Sequence, residues 1–227
     1  MDSYKSVIVD GKENYDVARF RILLDIPTNT ASKSTEPQKP LNENINRYLG
    51  TSEQHKDHIC EILENLEVDP WIVKQGCRPE RAFNVAFCAA VSMVECLPNM
   101  GARILGLIGG PPTMGSAAVA TVEKLNPIRA QLDLTKGEML AEMFKKAKEW
   151  YDEITTRLIA AKITVDIFGF SLDQFGMAEM RGICEKTGGF CIIQEQFKQQ
   201  VFHDSIRKYF ECDEEGLLRL TSGGSIE

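Results

Sequence analysis

The chain has 227 residues, 43% of them hydrophobic and 26% charged, with a formal net charge of −7. That length carries a sizeable single core, and the composition is that of an ordinary globular protein. The acidic balance argues against a broad grip on nucleic acid or anionic membrane, and no run reaches the roughly 18–20 apolar residues of a membrane span.

In chain order, residues 6–9 read as a short strand, with a turn at Asp10 and Gly11. Asn14 or Asp16 is placed to cap a helix whose apolar face is Val17, Phe20, Leu23 and Leu24. Residues 27–44 shift to Thr, Ser, Asn, Lys and Pro, too polar to fold alone, and a surface loop is expected. Thr51 or Ser52 then opens an amphipathic helix with Ile59, Ile62, Leu63 and Leu66 on one face. After a connector at 73–79, residues 80–97 are apolar almost all round, which predicts a helix buried against a sheet.

The chain pivots on residues 101–112. A turn at Asn99, Met100 and Gly101 leads into an apolar run to Ile108, stopped at Gly109, Gly110 and Pro111. A short apolar run bounded by Gly and Pro predicts a strand buried on both faces, as in a parallel sheet. Loops at the carboxyl ends of such strands are where open α/β sheets make their contacts. A helix is expected over 136–162, on a stripe of Leu140, Met143, Phe144, Ala147, Tyr151, Ile154 and Leu158, then a strand over 164–170. Residues 175–186 predict a helix stopped by Thr187, Gly188 and Gly189, and 190–194 a strand. Residues 197–210 predict a helix built on Phe197, Val201, Ile206 and Phe210. Alternating strands and helices give an α/β fold: a doubly wound, mostly parallel sheet with helices on both faces. The seven cysteines include no C-x-x-C pair, and Cys88 and Cys191 lie in apolar runs, as for thiols in a reducing cytosol.

Chemistry is sparse. The Gly109, Gly110, Pro111, Thr113, Gly115 loop matches neither G-x-x-x-x-G-K-[ST] nor G-x-G-x-x-G, and its prolines remove backbone donors that a phosphate cradle needs. It reads as a structural or protein-contact loop. A metal-dependent adhesion site would need D-x-S-x-S, which does not occur, and Asp166 with Asp173 at a strand end is a weak cation pair. His55, His58 and Cys60 read as a solvated helix face, and His203 lacks a nucleophile partner.

One family accounts for an ordered series of segments. Asn46, Arg47 and Leu49 are followed by Asp69, Pro70, Trp71, Val73 and Gly76, then Arg78, Pro79 and Arg81. Val85, Ala86, Glu95 and Cys96 precede Gly101, Ala102, Arg103 and Ile104, then Gly109, Gly110, Pro111, Thr113 and Gly115. Pro127, Ile128, Arg129, Asp166, Ile167, Leu172, Asp173, Gln174, Gly176, Glu179, Met180 and 187–189 complete the series. Together, over about 45–227, they resemble the GTPase-activating subunit of the COPII inner coat, the Sec-twenty-three family. The cargo-adaptor paralogue of that coat looks less like 69–71 and 109–111. Ser116 and Ala117 stand where the family usually continues Pro-Gly.

The resemblance implies a von Willebrand factor A-like trunk domain of a COPII coat component in ER-to-Golgi protein transport. It implies contacts with the cargo-adaptor paralogue and the coat's small GTPase, and a cytoplasmic location, peripheral on endoplasmic reticulum membranes through the coat. The expected partner-binding residues are Gly109, Gly110, Pro111, Thr113, Gly115, Asp173 and Gln174, with no catalytic residue, no metal and no cofactor, since the family's zinc finger and the domain bearing its catalytic arginine are not in this chain. Residues 1–44 are expected to be part of the trunk, 45–215 its α/β domain, and 216–227 the start of a following β-region. The trunk's first strand is not recognised either, so the piece is expected to be marginally stable or to self-associate unless another segment supplies that strand. The alternatives are a divalent-cation-dependent ligand binder of von Willebrand factor A type and a nucleotide-handling α/β enzyme.

Overall fold

The computed structural model describes Ile22 and residues 50–67, 70–95, 101–135, 139–216 and 218–220. The strand expected at 6–9, the helix after Asn14, the loop at 27–44 and the turn at Asn99 and Met100 lie outside these residues.

Three apolar runs form a parallel sheet: β1 (Ala102–Ile108), β2 (Ile163–Phe170) and β3 (Cys191–Gln194), in the order β1-β2-β3. The helices are α1 (Ser52–Glu64), α2 (Phe83–Glu95), α3 (Met139–Ala160), α4 (Met177–Thr187) and α5 (Gln200–Tyr209). Parallel neighbours need a crossover, and α3 and α4 supply the two. Strand periodicity then divides the residues between the faces. Val165 and Ile167 of β2, with Ala102, Ile104 and Ile108 of β1, join the core made with α2, α3 and α4. Phe168 and Phe170, with Leu105 and Ile192, face α5. β2 is therefore covered on both faces, as the alternation of elements predicts, whereas β1 is not buried on both faces as expected: of its residues only Ile108 is buried, and Leu107 is 56% exposed because it lies at the outer strand of the described sheet.

The predicted α3 stripe is buried at Ala147, Tyr151, Ile154 and Leu158, and the structure adds Trp150 and Thr155 to it. For α5 the predicted face is rotated from the real one. Val201 is 56% and Phe210 53% exposed, and the residues turned to the sheet are Phe202, Ile206 and Tyr209. Their i, i+4, i+7 spacing is the better helical stripe. The end of α4 is as predicted: Gly188 adopts φ 74°, and the Gly189 N–H donates to Cys184 O at 2.9 Å. Gly189 allows a close approach, since a Cβ there would lie 1.9 Å from Val165 O. Thr187 fastens this corner, its hydroxyl donating to Ile183 O at 2.7 Å and accepting from Val165 N–H at 3.1 Å.

Among the described residues β2 is hydrogen-bonded on both edges and β1 on one. Ala102 N–H donates to Lys162 O at 3.4 Å, which in this register turns the N–H and C=O of Arg103, Leu105 and Leu107 outward. No strand among the described residues pairs there. In α1, capped by Thr51 accepting from Gln54 N–H at 3.4 Å, the apolar face is exposed, with Leu63 at 60% and Leu66 at 69%. Beyond α5, Cys212 and Leu218 form an antiparallel bridge around a turn in which Gly216 N–H donates to Asp213 O at 3.1 Å, and Leu220 packs on the α5 core. No described helix is long and apolar enough to cross a membrane.

Candidate interaction surface

Because the strands are parallel and in register, with Ile108 beside Gly169 and Gly169 beside Ile193, their carboxyl ends lie along one edge. The loops at 109–115 and 171–176 leave from that edge, so the structure gathers both groups of sequence-predicted contact residues there. Gly109, Gly115, Asp173 and Gln174 are exposed, while Gly110, Pro111 and Thr113 are buried and form the loop's footing. Leu172, at 79%, and Met114, at 41%, are exposed apolar side chains among them.

The footing is built by the segment before α2. The Thr113 hydroxyl donates to Pro79 O and accepts from Arg81 N–H, both at 2.9 Å. Arg81 O accepts from Thr113 N–H at 3.0 Å and from Met114 N–H at 3.2 Å. Pro112 O in turn receives Val119 N–H at 2.9 Å and Ala120 N–H at 3.3 Å, closing the loop on itself. Pro111 and Pro112 carry no N–H, so their burial leaves fewer donors to satisfy. At Ser116 and Ala117, Ala118 N–H turns back to Gly115 O at 3.2 Å, Gly115 has φ 80°, and Ala117 is fully buried. Arg78 anchors the continuation. Its Nη1 donates to Thr121 O, Glu123 O and Asn126 O at 3.1, 2.8 and 3.1 Å.

Two buried ion pairs hold the scaffold. Arg129, from the connector after this loop, meets Glu179 in the first turn of α4 through paired hydrogen bonds of 2.6 and 2.5 Å, with its guanidinium 4.7 Å from the Phe144 ring centre. Asp166 is fully buried, not at the strand end expected for a cation pair but at the centre of β2. Its carboxylate accepts from Arg103 Nε at 2.9 Å, Arg103 Nη2 at 2.8 Å, Tyr209 Oη at 3.0 Å and Phe190 N–H at 3.0 Å. Both oxygens are thus committed to β1, to the start of β3 and to α5, and Asp173 lies beyond the strand in an exposed loop. Burial, then the Asp166 charge, pushes the Tyr209 phenol above its ordinary pKa. Burial opposes the Arg103 charge, but hydrogen bonds to Asp166 and Tyr209 outweigh it and raise its pKa.

The sequence patterns contain Arg103, Asp166 and Tyr209 without showing that they meet, because the contacts span 43 and 63 residues. His58 sits 3.9 Å from Glu61 on exposed α1, and His203 is exposed on α5. No group of three or more metal-ligating side chains occurs among the described residues. A shallow groove of about 530 Å³ runs along α3, between Phe144 and the charged side chains of Lys145, Lys148 and Asp152.

The Sec23/Sec24 trunk domain family matches residues 20–210. Among curated proteins, Protein transport protein SEC23 F of Arabidopsis thaliana is 37% identical over 184 residues, 81% of this chain and 23% of that relative. The chain therefore spans about a quarter of that relative's length. A match across β1, β2, β3 and every described helix, with the parallel order and two-sided covering that the fold displays, has one reading: the chain belongs to the Sec23/Sec24 trunk domain family.

Proposed function

We propose that this chain acts in the COPII vesicle coat, in ER-to-Golgi protein transport, as a trunk-domain contact module. The observation that carries this is the family match across residues 20–210, with a relative whose name is that of a transport protein. On this reading residues 45–215 form the working unit, cytoplasmic and held peripherally at endoplasmic reticulum membranes by the rest of the coat. The partners are the cargo-adaptor coat subunit and the small GTPase, and the surface that meets them is the carboxyl edge of the sheet. Gly109, Gly115, Asp173 and Gln174 supply accessible backbone and polar groups there, and Gly110, Pro111 and Thr113 hold the loop in shape. The module works by shape and contact, with no catalytic group and no cofactor of its own. Cation-dependent binding draws no support from Asp166, whose lone pairs already meet Arg103, Tyr209 and Phe190 N–H.

The test is a pull-down of the full chain against purified cargo-adaptor subunit and against the small GTPase locked with GTP. Retention of either, lost when residues 109–115 are replaced by a Gly/Ser linker of equal length, is the expected result. Retention of neither removes the contact-module reading.

A further inference from the structure

Among the described residues, arginines with restricted exposure are matched to acceptors, with one exception. Arg103, Arg129 and Arg157 each meet a carboxylate, from Asp166, Glu179 and Glu95, and Arg78 meets three carbonyl oxygens. Arg81 is half-buried, and no carboxylate or carbonyl among the described residues accepts from its guanidinium. Its position is nevertheless well fixed. The backbone on either side of the side chain is pinned by Thr113 and Met114, through the bonds at 2.9, 3.0 and 3.2 Å. The guanidinium lies against Gly110: a Cβ added there would stand 2.8 Å from Nη1 and 2.9 Å from Cζ. Gly110 thus leaves the space in which this cation rests, at the carboxyl end of β1, beside exposed Met114 and Gly109.

A guanidinium held partly out of water, with its fork unmatched, carries a desolvation cost that an incoming anion repays. We infer that Arg81 is the polar anchor of this surface and takes an acidic side chain, Asp or Glu, of the docked protein partner; this rests on the contact-module reading above. The chemistry favours one carboxylate over a polyanion. Arg presents a planar fork that matches a carboxylate bidentately. The loop beside it offers little to a phosphate, since Pro111 and Pro112 have no N–H and those of Thr113 and Met114 are already bonded to Arg81 O. The chain's net charge of −7 also disfavours a nucleic-acid or lipid surface. Met114 and Leu172 supply exposed apolar area at the same edge, the usual setting of a charged anchor in an interface.

The experiment is titration of the full chain, by calorimetry, with the purified cargo-adaptor subunit and the GTP-locked small GTPase, comparing wild type with Arg81→Gln, Arg81→Lys and Gly110→Ala. Arg81→Gln is expected to weaken binding by about tenfold or more, and Arg81→Lys, which keeps the charge without the fork, by less. Gly110→Ala, which keeps the arginine but displaces it, weakens binding with Arg81 intact. If Arg81→Gln lowers the melting temperature, the order of Arg81→Lys and Gly110→Ala decides in its place. Wild-type affinity in all three variants, with binding still abolished by replacing 109–115, overturns the anchor and leaves the contact-module reading standing. Failure of the wild-type chain to bind either protein overturns both. Variants that bind both proteins normally but lose co-sedimentation with phosphatidylserine vesicles overturn the carboxylate assignment in favour of a phosphate.

Discussion

On the face carrying α2, α3 and α4, β2 presents Ile163, Val165 and Ile167, and the surrounding core is mainly aliphatic. On the α5 face the same strand presents Asp166, Phe168 and Phe170, and the core is small, aromatic and built round one carboxylate. The aliphatic side contains polar atoms that find no partner among the described residues, the Asn84 amide and the Tyr151 hydroxyl. The aromatic side contains a charge whose acceptor sites are filled from β1, the start of β3 and α5. A large apolar volume tolerates an orphaned hydroxyl at a modest cost, whereas a small core with a buried charge holds only while every partner stays in place.

Substitutions on the two faces and a titration break or sharpen that contrast. The largest effect is expected from Asp166→Ala, which strands the Arg103 cation and loses about 3–5 kcal/mol in urea unfolding. Removing Arg103 as well, as Arg103→Met, is expected to recover part of that loss, because no unpaired charge is then left. On the opposite face Ile167→Ala, at a fully buried position, is expected to cost about 2–4 kcal/mol by the lost apolar contact and the cavity left behind. If it costs more than Asp166→Ala, the picture of a charge-dependent α5 face is wrong. Tyr151→Phe removes the unmatched hydroxyl and is expected to raise stability by about 1 kcal/mol in the same assay.

The smallest effect on unfolding is expected from Leu107→Pro, because that N–H points to the edge of β1 at which no described strand pairs. Its readout is association: the wild-type chain is expected to self-associate through this edge, and light scattering of the variant to shift toward monomer. A wild-type monomer that persists at high concentration would show the edge to be protected.

Titration at high pH sharpens the same contrast, since both faces carry acids that burial keeps neutral. Burial raises the Cys184 thiol to about 12 and the Cys191 thiol to about 11, and Tyr209 is raised as well. Each is raised above its unfolded value, so its contribution is fully present below pH 9 and is lost as pH climbs through the folded value. Unfolding midpoints are expected to be level from pH 7 to 8.5 and to fall by pH 10.5.

Much of the fold is legible in order and type. The Gly/Pro-bounded run became β1, the runs at 164–170 and 190–194 became β2 and β3, the glycine pair after α4 became its cap, and the alternation of elements gave a parallel sheet with helices on both faces. Phe197, just before α5, does stack on Phe170, but the α5 face was misjudged because Val201 and Phe210 are as apolar as Phe202 and Tyr209. Hydrophobicity alone does not choose between two neighbouring stripes on one short helix. In the candidate surface, the glycines and prolines of 109–115 mark a turn at a strand end, but nothing local says that Thr113 and Pro112 face inward while Met114 faces out.

By itself, then, the sequence determined the element order, the family and the place where loops cluster, since all three rest on short-range pattern and on motifs in series. Tertiary structure alone decided which charges meet. The Arg103–Asp166 and Arg129–Glu179 pairs join residues 63 and 50 positions apart, and among the described residues Arg81 meets no carboxylate, because the chain folds its backbone onto Thr113 and its guanidinium onto Gly110. Periodicity records which way a side chain points along its own element. The identity of what it meets is set by the crossing of elements distant in sequence, and that is where electrostatic pairing is won or withheld.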